Sequence, residues 1–390
     1  MFSVMPFGFL FLFVLMFGSI LSLSSMHWLP IWAGLEINLM GFIPILVYSG
    51  ISREAESGVK YFIIQALGSG MIMAGSLISF GLILTWEMKA PSQSSFGVIL
   101  LAIGLMLKLG SFPFHFWLPS VMAGISWLSC LLLASWQKLG PLFLLSGLSQ
   151  TWAPAESKLA ILILFSAGMS SLVGGIGGLN QTQIRALLAY SSIGHIGWML
   201  LCITLSQSIL KTYFIIYFII SLCIFTILWQ SEKSLFKQTA NTSLEASKMN
   251  NMTLIFLLLS LGGMPPLLGF FGKWLAIWSS STASSVLPVA PLLIGSLISL
   301  FYYLTLLFSL MLLSGVKLSN KSTTPLQTLL SLATTNTPVL LTPEKMFPWT
   351  STLSSLKLQN NPSPTMIFIL LLNLLGGVLI LMTLPISDFA

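Results

Sequence analysis

The stretch LKLGSFPFHFW, residues 107–117, places a lysine, a glycine and a proline inside an apolar run that extends from 96 to 118. Proline removes a backbone donor and clashes with the carbonyl four residues back, and a neighbouring glycine loosens the helix further. The stretch therefore predicts a helix broken in its middle, beside an ionisable side chain. It has an echo: Leu109-Gly110-Ser111-Phe112-Pro113 recurs in form as Leu261-Gly262-Gly263-Met264-Pro265, in a run that also carries Lys273. The two breaks fall in the fourth and ninth apolar spans, five apart. The two halves are then expected to be oppositely oriented, as in transporters built from inverted repeats with sites at the bilayer midplane.

The rest of the 390-residue chain is of the same kind: 56% of its residues are hydrophobic and 6% charged, against roughly 25% charged in a soluble domain. Runs long enough to span a bilayer, about 20 residues each, read at 2–22, 28–49, 59–85, 96–118, 124–147, 158–178, 187–206, 211–230, 252–280, 287–314 and 365–386. The expected fold is all-α, a polytopic membrane helix bundle of about 11 transmembrane helices with two broken helices related by an inverted repeat. Residues 1–314 would form the bundle, with repeats roughly at 1–150 and 155–314; 315–364 would be a polar connection, and 365–390 the final helix and C-terminus. The first run has no basic leader and no small-residue cleavage site, and reads as a retained helix. Cys130, Cys202 and Cys223 stand singly within spans and read as small apolar fillers.

The net charge of +7 reads as topology. With loops assigned alternately to two sides, the N-terminal side holds Arg53, Lys60, Arg185, Lys233, Lys237, Lys248, Lys317, Lys321, Lys345 and Lys357, and the other Lys89, Lys158 and Lys211. By the positive-inside rule the N-terminus faces the inner compartment, and an odd number of spans puts Asp388 on the opposite side. The two long connections, Ser231 to Asn251 and Ser314 to Thr365, both fall on the positive side. Tryptophans cluster near span ends, as interfacial anchors do.

Four ionisable residues, Glu36, Lys108, Lys138 and Lys273, sit near the middle of four different spans. Each costs roughly 2.5–3.5 kcal/mol on insertion scales, so four on separate segments are expected to compensate one another. Glu36 reads either as a carboxylate that pairs with a lysine and controls its proton affinity, or as half of a fixed ion pair between helices. Lysines can snorkel to the interface, but Lys138 is too central for that, and Lys108 and Lys273 adjoin irregular backbone that can hold water. His195 reads either as a relay between lysines or as a neutral ring bonded to a hydroxyl. His115 is a candidate relay to one surface, His27 reads as interfacial, and Lys60, which follows Arg53, Glu54 and Glu56, reads as a snorkelling residue with local ion pairs. The chain has no glycine-rich phosphate loop, dinucleotide fingerprint, haem attachment motif or paired histidines at metal-ligand spacing.

Taken together, Gly34-Leu35-Glu36-Ile37-Asn38 with Pro44, Lys60-Tyr61-Phe62 with Gln65, Lys108 through Pro119, Trp136-Gln137-Lys138, Tyr190-Ser191-Ser192 with His195, and Leu261 through Lys273 resemble the chain 2 family of mitochondrial NADH:ubiquinone oxidoreductase, respiratory complex I. The resemblance implies an antiporter-like membrane-arm subunit, in the animal form that lacks three N-terminal helices of bacterial relatives. It implies a proton path through Glu36, Lys108, Lys138 and Lys273. In it, Glu36 and Lys108 are paired and separated during pumping, Lys138 is the central relay, and Lys273 leads to the exit; His195 matches a family position. It also implies the mitochondrial inner membrane, with the N-terminus in the matrix and the C-terminus in the intermembrane space. The expected partners are other complex I subunits, neighbouring antiporter-like subunits above all, and lipids, with no nucleic acid. No cofactor is expected on this chain; FMN and iron–sulfur clusters would belong to partner subunits. The segment from Lys317 to Pro364 departs from the family, being longer than is usual before the last helix. Two rival readings remain: an Mrp-type cation/proton antiporter subunit, and a structural spacer with its ion pairs locked.

Overall fold

A computed structural model of the chain describes residues 7–48, 50–80, 87, 94–152, 157–231, 245–282, 287–320 and 369–377. Its elements are α1 (Gly8–Ser24), α2 (Trp28–Val47), α3 (Ser52–Phe80), α4 (Ser95–Leu109), α5 (Trp117–Gly124), α6 (Trp127–Ala134), a 3-10 turn (Trp136–Lys138), α7 (Leu139–Trp152), α8 (Ser157–Gly178), α9 (Ile184–Leu205), α10 (Gln207–Ser231), α11 (Glu245–Gly262), α12 (Leu268–Thr282) and α13 (Val289–Asn320). A last helical stretch covers 369–377. Among the described residues the remaining regular pairing is one isolated bridge, His27 with Glu87.

Both expected breaks are present. Gly110 ends α4 at φ +74° and Gly263 ends α11 at φ +83°, in the left-handed region that glycine tolerates without strain. The Gly110 amide donates to the Met106 and Leu107 carbonyls at 3.0 and 3.2 Å, and the Gly263 amide to Leu259 and Ser260 at 3.1 and 3.0 Å. Cis peptides follow at Phe112–Pro113 and Pro265–Pro266. This geometry corrects the register of the echo by one residue. Gly110 matches Gly263 and Pro113 matches Pro266, both 153 residues apart, whereas the bare letter pattern had paired Gly110 with Gly262. Backbone conformation decides the equivalence, because only one of the two adjacent glycines takes the left-handed turn.

The same offset, to within a few residues, relates the starts of α1, α2, α3, α4, α5 and α7 to those of α8, α9, α10, α11, α12 and α13, although the helix lengths differ. Packing follows suit, with α1 on α2, α2 on α3, α3 on α4 and α1 on α7 in the first half, and α8 on α9, α9 on α10, α10 on α11 and α8 on α13 in the second. Lipid gives little hydrophobic drive between helices, so close approach at small residues holds such pairs together. Gly75 of α3 and Gly97 of α4 face each other: a Cβ on Gly75 would lie 2.9 Å from the Gly97 carbonyl oxygen, and one on Gly97 3.0 Å from that of Gly75.

The structure bears on three expectations. By length and composition, 7 helices among the described residues are apolar enough to cross a membrane, and Gly8–Ser24, Ser95–Leu109 and Met252–Gly262 are shorter apolar helices. The count of about eleven is neither reached nor contradicted among the described residues, because the breaks shorten the fourth and ninth runs and most of 365–386 lies outside the described residues, as does 321–364. A third break, unexpected from the sequence, divides the run 124–147 at Ser135–Lys138. Pro141 accounts for it, since its ring bars a helical bond to the Gln137 carbonyl. Finally, the tryptophans near helix ends divide: Trp28, Trp127 and Trp152 are buried within the chain, whereas Trp229 and Trp278 are exposed, as anchors would be.

Gly75→Val is expected to force α3 and α4 apart and to lower the thermal midpoint of the detergent-purified chain by several degrees. Gly70→Ala, where a Cβ meets nothing within 4 Å, is expected to leave it unchanged.

Candidate functional site

Lys108 lies in the last turn of α4 with 6% of its surface exposed. The break behind it frees carbonyls that apolar surroundings cannot satisfy. Trp117 Nε1 donates to the Leu107 carbonyl at 3.2 Å, and Gln65 Nε2 to the Lys108 carbonyl at 3.3 Å. With neutral groups capping the helix, the lysine side chain is left to face a cavity of about 20 Å³ shared with Asn38, Tyr61, Gln65, Gln137 and Lys138. A water needs roughly 10–15 Å³ by this measure, so the space suits about one. The wall opposite is fixed by a reciprocal amide pair: Asn38 Nδ2 donates to Gln137 Oε1 at 2.9 Å and Gln137 Nε2 to Asn38 Oδ1 at 3.1 Å. Tyr61 donates to the same Gln137 oxygen at 3.4 Å.

Lys138 sits on the 3-10 turn, 2% exposed. Its Nζ leaves the first half altogether and bonds to the second, reaching the Tyr217 hydroxyl at 3.2 Å and the Ser192 carbonyl at 3.4 Å. The ammonium also lies 4.9 Å from the centre of the Tyr217 ring. His195, one turn beyond Ser192 on α9, packs its ring 5.1 Å from that of Tyr217, and its Nδ1 is 2.9 Å from the Tyr213 hydroxyl.

Lys273 follows its break and turns back onto it. Its Nζ donates to the Gly262 carbonyl at 2.7 Å and to the Leu261 carbonyl at 3.4 Å, so the lysine itself caps the C-terminus of α11. A cation there is favoured by the helix dipole by about 0.3–2 kcal/mol. Lys273 and His195 border a second cavity of about 20 Å³ with Ser191, Ser299, Tyr302 and Tyr303.

The structure thus groups the expected residues in two pairs, Lys108 with Lys138 and His195 with Lys273, and joins the pairs through Tyr217. Glu36 is half-buried on α2 and within electrostatic range of Lys108 and Tyr61. Among the described residues the ion pair closed within 4.0 Å is Lys60 with Glu56, so the Glu36–Lys108 pair is open. That exposed Lys60–Glu56 bridge agrees with the snorkelling reading of Lys60. His115 is wedged between Phe112 and Phe116 and borders neither cavity. His27 is exposed at the start of α2. Cys130 and Cys202 are buried free thiols. Asn38, Gln137, Ser192, Tyr213 and Tyr217 were missed from sequence. A signal existed for two of them: Tyr213 and Tyr217, four apart in an apolar run, share one face of α10.

Residues 25–299 match the family described as NADH:quinone oxidoreductase/Mrp antiporter, TM, a range that holds all five expected site residues. The chain is 40% identical over 298 residues to NADH-ubiquinone oxidoreductase chain 2 of Lumbricus terrestris, covering 76% of this chain and 84% of that one. It is 38% identical over 312 residues to the chain 2 of Anopheles gambiae, covering 79% and 87%. In fold it is similar to a chain of respiratory complex I from Thermus thermophilus, with TM-score 0.73 and 24% identity over 96% of this chain and 79% of that one. It is also similar to a chain of the Mrp complex from Dietzia sp., with TM-score 0.69 and 18% identity over 77% of this chain and 59% of that one.

Asn38→Leu is expected to destabilise the chain by about 1–3 kcal/mol, because the half-buried Gln137 amide keeps only the Tyr61 bond to its oxygen and its Nε2 loses the Asn38 acceptor. Thermal unfolding in detergent checks this. Adding Gln137→Leu should recover part of the loss, the two effects failing to add.

Proposed function

Because the chain belongs to the NADH-ubiquinone oxidoreductase chain 2 family, within the NADH:quinone oxidoreductase/Mrp antiporter membrane proteins, we propose that it is a membrane-arm subunit of mitochondrial complex I that carries protons from matrix to intermembrane space. The observation that carries the reading is the junction at Lys138. A lysine of the first half bonds only to groups of the second, between two polar cavities that each hold a further buried lysine.

In this reading Lys108 takes a proton from the matrix side and passes it through the first cavity to Lys138, and His195 and Lys273 carry it toward the opposite surface. The open Glu36–Lys108 pair is the adjustable element. When the carboxylate approaches, Lys108 holds its proton; when it withdraws, the ammonium stands in a poor solvent and its proton moves on. Moving one charge against the membrane potential costs roughly 2.3 kcal/mol per 100 mV. Quinone reduction elsewhere in the assembly supplies that energy, and FMN and iron–sulfur clusters sit in partner subunits, in keeping with a sequence that carries no motif for them. Neighbouring antiporter-like subunits and lipids cover its exposed apolar faces. The charge bias supports a matrix-facing N-terminus and a C-terminus in the intermembrane space. Arg53 opens α3 and Arg185 opens α9, and the alternation of spans assigns both ends to that side.

An Mrp-type antiporter subunit is the second reading, favoured by the fold match to the Mrp complex. The smaller share of that chain covered, 59% against 79% of the Thermus thermophilus complex I chain, weighs toward complex I.

Lys138→Met in the assembled, vesicle-reconstituted enzyme is expected to lower coupled turnover by about tenfold or more, with electron transfer to an artificial acceptor intact. Unchanged turnover and proton-to-electron ratio would return the chain to the role of a spacer. Cation/proton exchange by the chain alone in vesicles would favour the antiporter.

A further inference from the structure

We propose that Tyr217 is the positioning residue that holds Lys138 across the junction between the two halves and switches between two hydrogen-bonded states as Lys138 gains and loses its proton. The proposal rests on the proton-pathway reading above and adds to it a residue with a stated task.

The argument begins with the phenol's inventory of bonds. A tyrosine hydroxyl has one proton to donate and lone pairs with which to accept. Tyr217 donates to the Ala134 carbonyl at 3.2 Å, at the point where α6 stops before the 3-10 turn. The same oxygen then accepts from Lys138 Nζ at 3.2 Å. The arrangement is self-consistent while the lysine is a donor. When the lysine gives up a proton, its nitrogen carries a lone pair and accepts a hydrogen bond, and Tyr217 is the adjacent hydroxyl able to supply one. To do so it must release Ala134, whose carbonyl ends α6. The protonation of Lys138 is thereby linked to the backbone that positions Lys138.

The neighbours of the ring give the switch a direction. Tyr217 and Tyr213 project from one face of α10, and both are buried. Tyr213 holds His195 Nδ1, and the Tyr217 ring is close to both Lys138 Nζ and the imidazole, 4.9 Å from the former and 5.1 Å from the latter ring centre. In the second half the side-chain hydroxyl bonded to Lys138 is that of Tyr217, and His195 packs against the same phenol ring. Ser192, whose carbonyl is the other partner of Lys138, cannot act in this way, because a carbonyl only accepts. Of the two partners, only the phenol can change roles.

Tyr217→Phe preserves the ring against His195 and removes the hydroxyl alone. In the assembled, reconstituted enzyme it is expected to lower coupled turnover about three- to tenfold, with the KM for quinone and electron transfer to an artificial acceptor unchanged. Added to Lys138→Met it should lower turnover no further, because it acts through the lysine. If Lys138→Met is impaired while Tyr217→Phe behaves as wild type, or if the two losses simply add, the switch is overturned and the pathway stands. If Lys138→Met itself is unimpaired, the pathway reading falls and the switch with it. Wild-type enzyme with ring-labelled tyrosine provides a measurement independent of whether Tyr217→Phe assembles. Infrared difference spectra between resting and turning-over enzyme should contain a tyrosine C–O band that Lys138→Met abolishes. A spectrum without that band, or one indifferent to Lys138, overturns the proposal.

Discussion

An interrupted helix in hydrocarbon leaves backbone groups that water cannot satisfy, each costing several kcal/mol if left alone. Among the described residues three spans are interrupted, and a distinct set of buried side chains answers those interruptions, whereas the buried serines mostly bond carbonyls of their own helices. Trp117 and Gln65 serve the end of α4, Tyr217 the end of α6, and Lys273 the end of α11. The ionisable groups are therefore tied to the same places as the structural debts. A lysine is tolerated at depth because the backbone beside it already needs donors and already excludes close apolar packing.

The two halves meet this constraint differently although their breaks share geometry. In the second, the lysine is itself the cap, bound to the Gly262 and Leu261 carbonyls. In the first, neutral side chains take over capping, and Lys108 is left facing the cavity. One backbone plan thus yields a lysine held by a helix end and another that faces a cavity. Lys138, between them, belongs by sequence to one half and by hydrogen bonding to the other.

Much of this was legible in the chain itself. Apolar runs gave the helices, and the Gly110–Pro113 and Gly262–Pro265 stretches gave two of the breaks, because glycine and proline act locally. Depth alone picked out Lys108, Lys138 and Lys273, since a charge in mid-span has few innocent explanations. The third break was hidden because Pro141 acts on a carbonyl four residues away, outside the irregular turn itself. The register of the echo was hidden because two adjacent glycines look alike as letters and differ only in φ. Tyr217 was hidden for another reason: its importance comes from what two distant segments, at Ala134 and Lys138, bring to it, and no spacing within α10 records that.

Each internal cavity has about 20 Å³ of room, enough for about one water and far too little for an unbroken file from one surface to the other. In a membrane that stores energy as a voltage, a continuous file would be a short circuit. On the proton-carrying reading proposed above, cavities this small would serve as insulation: protons would advance only when side chains move, and the stored voltage would not drain backward through a resting subunit.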